Sequence, residues 1–214
     1  MSLFMSQGDQ RESMKNIING DGYYPACPGI INLYKTTGHI FEIPTIFVQP
    51  MKGEKIMPKD GLTYKERIRA KLFEIQIGRP MTAPVIATTN KPREKCRVAL
   101  ITTGGIHLKN QVPFTPKNGD HSFRLIPWNT PQTDLTVTHG HYNETDVRAD
   151  VNCLLPMDRL EELVVEGFVA SAAANHISFM GYIPDVGPLV KETAPEAARI
   201  LVEDEVDIAV LTPG

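Results

Sequence analysis

A short, almost wholly apolar run, Val206-Asp207-Ile208-Ala209-Val210-Leu211, leads into Thr212, Pro213 and Gly214. Such a run, β-branched and closed by turn residues, suits a strand buried on both faces, and strands of that kind belong to parallel sheets covered by helices. The segment therefore asks for an α/β fold. In open α/β sheets a ligand sits beyond the carboxyl ends of the strands, where a turn passes into the next helix. Thr-Pro-Gly is a turn signal, and a turn makes sense mainly when something follows it. The expectation is a central strand that delivers its end to a site, in a module cut short at its C-terminus. An ordinary edge strand is the alternative.

With 214 residues, 42% hydrophobic and 22% charged, the chain is long enough to bury about 70% of its unfolded surface. A formal net charge of -3 gives no basic footprint, so nucleic acid and anionic membrane surfaces are not expected partners. Cys27, Cys96 and Cys153 are an odd number at wide spacings. They spell neither a disulfide framework nor a zinc site, and a cytoplasmic location fits them. No run approaches the roughly 18 apolar residues of a membrane span.

Residues 1–13 read as a disordered tail, and 14–95 as an irregular N-terminal α+β extension punctuated by Pro25, Pro28, Pro44, Pro50, Pro58, Pro80 and Pro84. Its one helix opens at Thr63 with Glu66 in a capping box, carries Ile68, Leu72 and Ile75 on one side, and stops at Gly78 and Pro80. From residue 96 to 214 the texture is α/β. Val98 to Thr103 predicts a strand running into Gly104-Gly105. Asp158 and Glu161 open a helix with Leu160, Leu163, Val164 and Phe168 on one face, ended by Gly167. A short strand near Ile177 to Tyr182 leads to a helical stretch at Pro188 to Asp204, kinked or restarted by Pro195, with Thr193 and Glu196 as a second capping box. The alternation predicts a partial doubly wound, Rossmann-like parallel sheet of roughly three strands.

Several residues are candidates for chemistry. Gly104-Gly105 allows backbone to approach a carboxylate or phosphate; a tight turn without a ligand fits the spacing equally, since no GxGxxG follows. His139, His141 and His176 with Asp146 and Asp150 do not have the spacing of a metal site, and no metal is expected. His139 and His141 suit polar lining of a cleft, whereas His176 fits either that lining or the core. Asp120, Ser122 and Arg124 alternate, so a strand would point all three to one face; Arg124 is a fork for a carboxylate or an ion-pair partner of Asp120. Cys153, ahead of a helix, reads as buried and inert, and Cys27 as the more exposed thiol.

Six blocks in order resemble the selenoprotein B family of glycine/betaine/sarcosine/D-proline reductases, with the D-proline branch nearest in look. They are Val98 to Lys109, Gly119 to Arg124, Thr138 to Asn143, Pro156 to Leu160, His176 to Tyr182, and Val206 to Gly214. The resemblance implies a reactive selenocysteine or cysteine directly after Gly214, at a helix N-terminus that stabilises the anion. It implies reductive cleavage of a carbon–nitrogen bond in an amino acid or amine, with dithiol or thioredoxin-type electrons and a pyruvoyl group on a partner subunit. The chain itself is then expected to bind no cofactor, to assemble as a homo- or hetero-oligomer, and to be inactive without its nucleophile. His107 is the expected acid/base, and Thr103, Gly104, Gly105, Arg124, His139, His141, Thr212 and Gly214 the expected substrate contacts. A non-catalytic paralogue that binds a small ligand is the alternative.

Overall fold

A computed structural model describes residues 7–19 and 89–212 except His141. The expected helix from Thr63 lies outside the described residues. The centre of the fold is strand β1 (Arg97–Thr102), where Val98, Ala99, Leu100 and Thr102 are each fully buried. Strand β7 (Ile208–Thr212) pairs with it in parallel from Val98 to Thr102. A strand has two edges, so β5 (Ser171–Ala172) and β6 (Asn175–Phe179), both parallel to β1, share the other. Strand β3 (Phe123–Pro127) runs antiparallel on the far side of β6. The sheet is thus α/β and mostly parallel, but five-stranded and mixed rather than three-stranded and wholly parallel. Two short strands, β2 (Ile106–Leu108) and β4 (Leu135–Val137), form a separate antiparallel pair.

Between their paired positions, Ala99 and Leu100 of β1 face residues 173–176, a bulge of two residues that separates β5 from β6. The bulge deprives the Leu100 amide of a ladder carbonyl. His176 Nδ1 accepts from that amide at 3.1 Å instead, an exchange of side chain for backbone that keeps a buried donor satisfied.

Helices cover both faces, as a buried parallel strand requires. One face carries Val98, Leu100, Ile208 and Val210, packed with α1 (Gln7–Asn19), α3 (Met157–Val165) and the β2–β4 pair. The other carries Ala99, Ile177 and Phe179 under Ala197 and Leu201 of α4 (Ala194–Glu203). A short α2 (Thr145–Ala149) follows β4.

Residues 7–13, expected as tail, instead open α1. Gln10, Met14, Ile17 and Ile18 make its buried stripe, and Arg11 and Lys15 pair with Glu166 at 2.7 and 2.8 Å. The composition of this segment hides the stripe because the residues between are polar. The expected capping box at Thr193 does not form, and Asp158 does not cap its helix, while the box at Thr63 lies outside the described residues. Asp158 accepts from Asn152 at 3.0 Å and from Gln132 at 2.5 Å, while the Thr193 hydroxyl donates to the His121 carbonyl at 2.8 Å. Leu189–Thr193 winds as a π-helical turn, and Pro195 falls in the first turn of α4, where its missing amide is no loss. Gly167 does end α3 in a left-handed conformation, φ +71. Among the described residues no helix is long and apolar enough to cross a membrane.

Candidate functional site

The carboxyl ends of β6, β1 and β7 lie side by side, with Thr102 in register with both Ser178 and Thr212. From there the chain leaves β1 through Thr103-Gly104-Gly105. The Thr103 amide donates to the Thr212 carbonyl at 3.1 Å and the Gly105 amide to the Phe179 carbonyl at 2.8 Å. The Gly104 amide donates to Thr102 Oγ1 at 3.0 Å. Three consecutive amides are therefore committed inside the fold, which is the tight turn rather than an open anion cradle. The glycines answer to space. A Cβ on Gly104 would stand 2.6 Å from Leu154 Cδ1, and one on Gly105, where φ is +69, would stand 2.5 Å from the Thr138 carbonyl oxygen.

The segment after β4 forms a second wall. Glu144 accepts from the amides of His139 and Gly140 at 3.0 and 3.1 Å, and from Arg148 at 2.5 Å. Partial burial opposes its charge, but the His139 amide, Arg148 and the Gly140 amide together hold the carboxyl below its ordinary range. The segment is thus fixed by its backbone. The His139 ring, buried, packs 4.5 Å from Tyr142, whose hydroxyl donates to the Gly104 carbonyl at 2.7 Å. His139 Nε2 lies 3.3 Å from where a Cβ on Gly181 would be, and the same position is 2.8 Å from the Thr103 carbonyl oxygen. Gly181 therefore has to be glycine for the end of β6 to meet both. Thr212 completes the group by donating to the Leu154 carbonyl.

Thr103, Gly104, Gly105, His139 and Thr212 of the expected substrate contacts thus come together. His107 and Arg124 do not join them. His107 is buried on β2. Its Nδ1 faces the Leu108 carbonyl at 2.8 Å and so carries the hydrogen; Nε2 then accepts from the Thr138 hydroxyl at 3.0 Å. Arg124 donates to the carbonyls of Val112 and Phe123 at 2.9 and 3.0 Å and to Ser122 Oγ at 2.8 Å, stacks 4.3 Å over Phe114, and has Asp120 at 4.0 Å. It anchors the loop before β3. Asp120 is partly buried, which opposes its charge, yet hydrogen bonds from Ser122 and Thr115 with the nearby Arg124 hold its carboxyl low. His141 and Gly214 lie outside the described residues.

His176 is a core histidine: fully buried, edge-on to Trp128 at 5.5 Å, with burial pushing its pKa down to about 3. Cys96 is buried at the amino end of β1 and Cys153 is half-buried against the core. Among the described residues no three His, Cys, Asp or Glu side chains are grouped so that they could hold a metal ion. Tyr142, Glu144, Leu154 and Gly181 belong to the site without having been singled out from the sequence. Tyr142 and Gly181 lie within the family-like blocks, and Glu144 left a signal of its own, a carboxylate shortly after a glycine in a loop rich in hydrogen-bonding residues.

A family model described as glycine/sarcosine/betaine reductase selenoprotein B matches residues 66–214. The chain is 40% identical over 136 residues to D-proline reductase subunit gamma of Acetoanaerobium sticklandii, which covers 63% of this chain and 56% of that protein. It is 30% identical over 127 residues to glycine reductase complex component B subunit gamma of Symbiobacterium thermophilum, covering 57% of this chain and 29% of that protein. The matches thus span little more than half of one relative and under a third of the other. No solved structure matches the chain significantly.

Proposed function

The chain belongs to the glycine/sarcosine/betaine reductase selenoprotein B family, and from that premise we propose that it serves as a subunit of a reductase cleaving a carbon–nitrogen bond in a small amino acid or amine. D-proline is the favoured substrate, because the relative with 40% identity is a D-proline reductase subunit; glycine, sarcosine and betaine are the others. In the overall reaction C–N gives way to C–H and N–H. The two electrons and the two protons this requires both come from a dithiol that ends as a disulfide.

One observation carries this reading: the carboxyl ends of β6, β1 and β7 converge on a turn packed against His139 and Tyr142. That is where ligands sit in α/β sheets. The nucleophile of this reading is a selenocysteine or cysteine after Gly214, past the end of β7, with the next helix dipole favouring its anion. A pyruvoyl group on a partner subunit would supply the electrophile for the substrate amine. Of the two histidines, His139 is the better placed for proton transfer, since it faces Gly181 and the turn. His107 supports the backbone behind it through Thr138. Arg124 holds the neighbouring loop.

The test is D-proline reduction by the chain extended past Gly214 with selenocysteine or cysteine leading the extension, together with a pyruvoyl partner and a dithiol. Dithiol-dependent product that vanishes when the added residue is alanine supports the reading, as does inactivity of residues 1–214 alone. No turnover of any of the four substrates overturns it.

A further inference from the structure

The pleat of the main sheet brings three neutral polar side chains to one face. His176 and Ser178 leave β6 on the side of Val98 and Leu100, opposite to Ile177 and Phe179, and Thr102 has the same parity on β1. Ser178 and Thr102 are in register, which sets their Cα atoms about 4.8 Å apart with the side chains pointing the same way. His176, Ser178 and Thr102 are each fully buried.

Their hydrogen-bonding capacity is not used up. Because His176 Nδ1 accepts from the Leu100 amide, Nε2 bears the ring hydrogen, and that N–H has no protein partner. Ser178 Oγ has none either. Thr102 Oγ1 accepts from the Gly104 amide at 3.0 Å and still has its own hydrogen to give. Buried donors and hydroxyls left in that condition are costly and rare in folded proteins.

We propose that one buried water molecule is bound between Ser178 Oγ and Thr102 Oγ1 and also accepts from the His176 Nε2–H. Hydroxyls in register on adjacent strands can share a single water, and a buried water requires two to four polar partners. Chemistry selects water over an ion. A cation would meet the His176 N–H hydrogen, and none of the three groups carries the charge an anion requires. Through Thr102 and its bond from Gly104, the water ties β6 to the floor of the Thr103-Gly105 turn. The inference is independent of the reductase reading.

The test is a crystal structure at about 1.5 Å of the chain and of Ser178→Ala, with thermal unfolding of both. The expected result is a water within hydrogen-bond distance of both hydroxyls in the parent and absent from the variant. The variant is also expected to melt about 2–4 °C lower, the usual shift for losing one net hydrogen bond in a domain of this size. A direct Ser178–Thr102 bond or an empty, dry contact in the parent overturns the proposal. An unchanged or higher melting temperature for Ser178→Ala does the same, because deleting an orphaned hydroxyl relieves a penalty rather than breaking a bond.

Discussion

At its amino end β1 is anchored by charge, whereas its carboxyl end is shaped by glycine and neutral hydroxyls. Arg97 donates from its side chain to the Asp204 carboxylate at 3.1 Å and from its amide to Asp207 at 2.8 Å, and Lys91 reaches Asp207 at 2.5 Å. At the other end stand Thr102, Ser178 and Thr212, with Gly104, Gly105 and Gly181 allowing loops to close on them. The difference assigns tasks. Ion pairs hold the strand ends without requiring close shape, while small residues bring His139 and Tyr142 against the sheet without spending a charge that a substrate would have to displace.

The largest effect that follows is at Gly105. An alanine there takes on a left-handed φ and a backbone collision together, so Gly105→Ala is expected to cost about 3 kcal/mol or more in urea unfolding. A loss under 1 kcal/mol would show that the carboxyl end is not shape-limited.

Asp207→Ala probes the opposite end. It removes the acceptor of a backbone amide as well as an ion partner, and a loss of about 1–3 kcal/mol is expected in the same assay. Arg199→Ala, whose partners Glu196 and Glu203 are exposed like itself, should move stability by less than about 0.5 kcal/mol. Equal effects would remove the case that the amino end is held by its charges.

Between the two ends, His176 makes the bulge pH-sensitive. The unfolded chain takes up a proton as pH falls through 6.5, but the fold refuses it until about pH 3. Stability from this residue is therefore complete above pH 6.5 and declines toward pH 3. The slope is at most about 1.4 kcal/mol per pH unit. Chemical unfolding at several pH values should show His176→Gln losing that part of the slope; an identical slope in both proteins would place the imidazole in a wetter setting. A milder effect than at Gly105 belongs to Gly167→Ala. Its φ of +71 matches that of Gly105, but nothing lies within 4 Å of the added Cβ, so only the conformational cost of about 1 kcal/mol remains. A loss as large as at Gly105 would mean that backbone strain, not contact, governs both.

Much of this was legible in the chain. Strands β1, β6 and β7 and helix α3 announce themselves by apolar runs and stop signals, because local pattern and burial agree there. The β2–β4 pair was not legible: three-residue strands joined across a long loop carry too few residues for a period. The burial of His107 was not legible for the same reason, since it depends on that pairing. The glycines of the turn stood out by spacing, yet their reason, the approach of Leu154 and Thr138, is a tertiary contact no local pattern records. Helix α1 was missed because its stripe is only four residues wide among polar ones.

The most direct measurement is turnover of D-proline by the assembled reductase carrying His139→Asn or Asp207→Ala, each corrected for its folded fraction. If the carboxyl ends of the strands house the reaction, His139→Asn lowers kcat by about 100-fold or more while Asp207→Ala stays within about twofold of the parent. Comparable losses in the two variants, or a loss confined to Asp207→Ala, would contradict it.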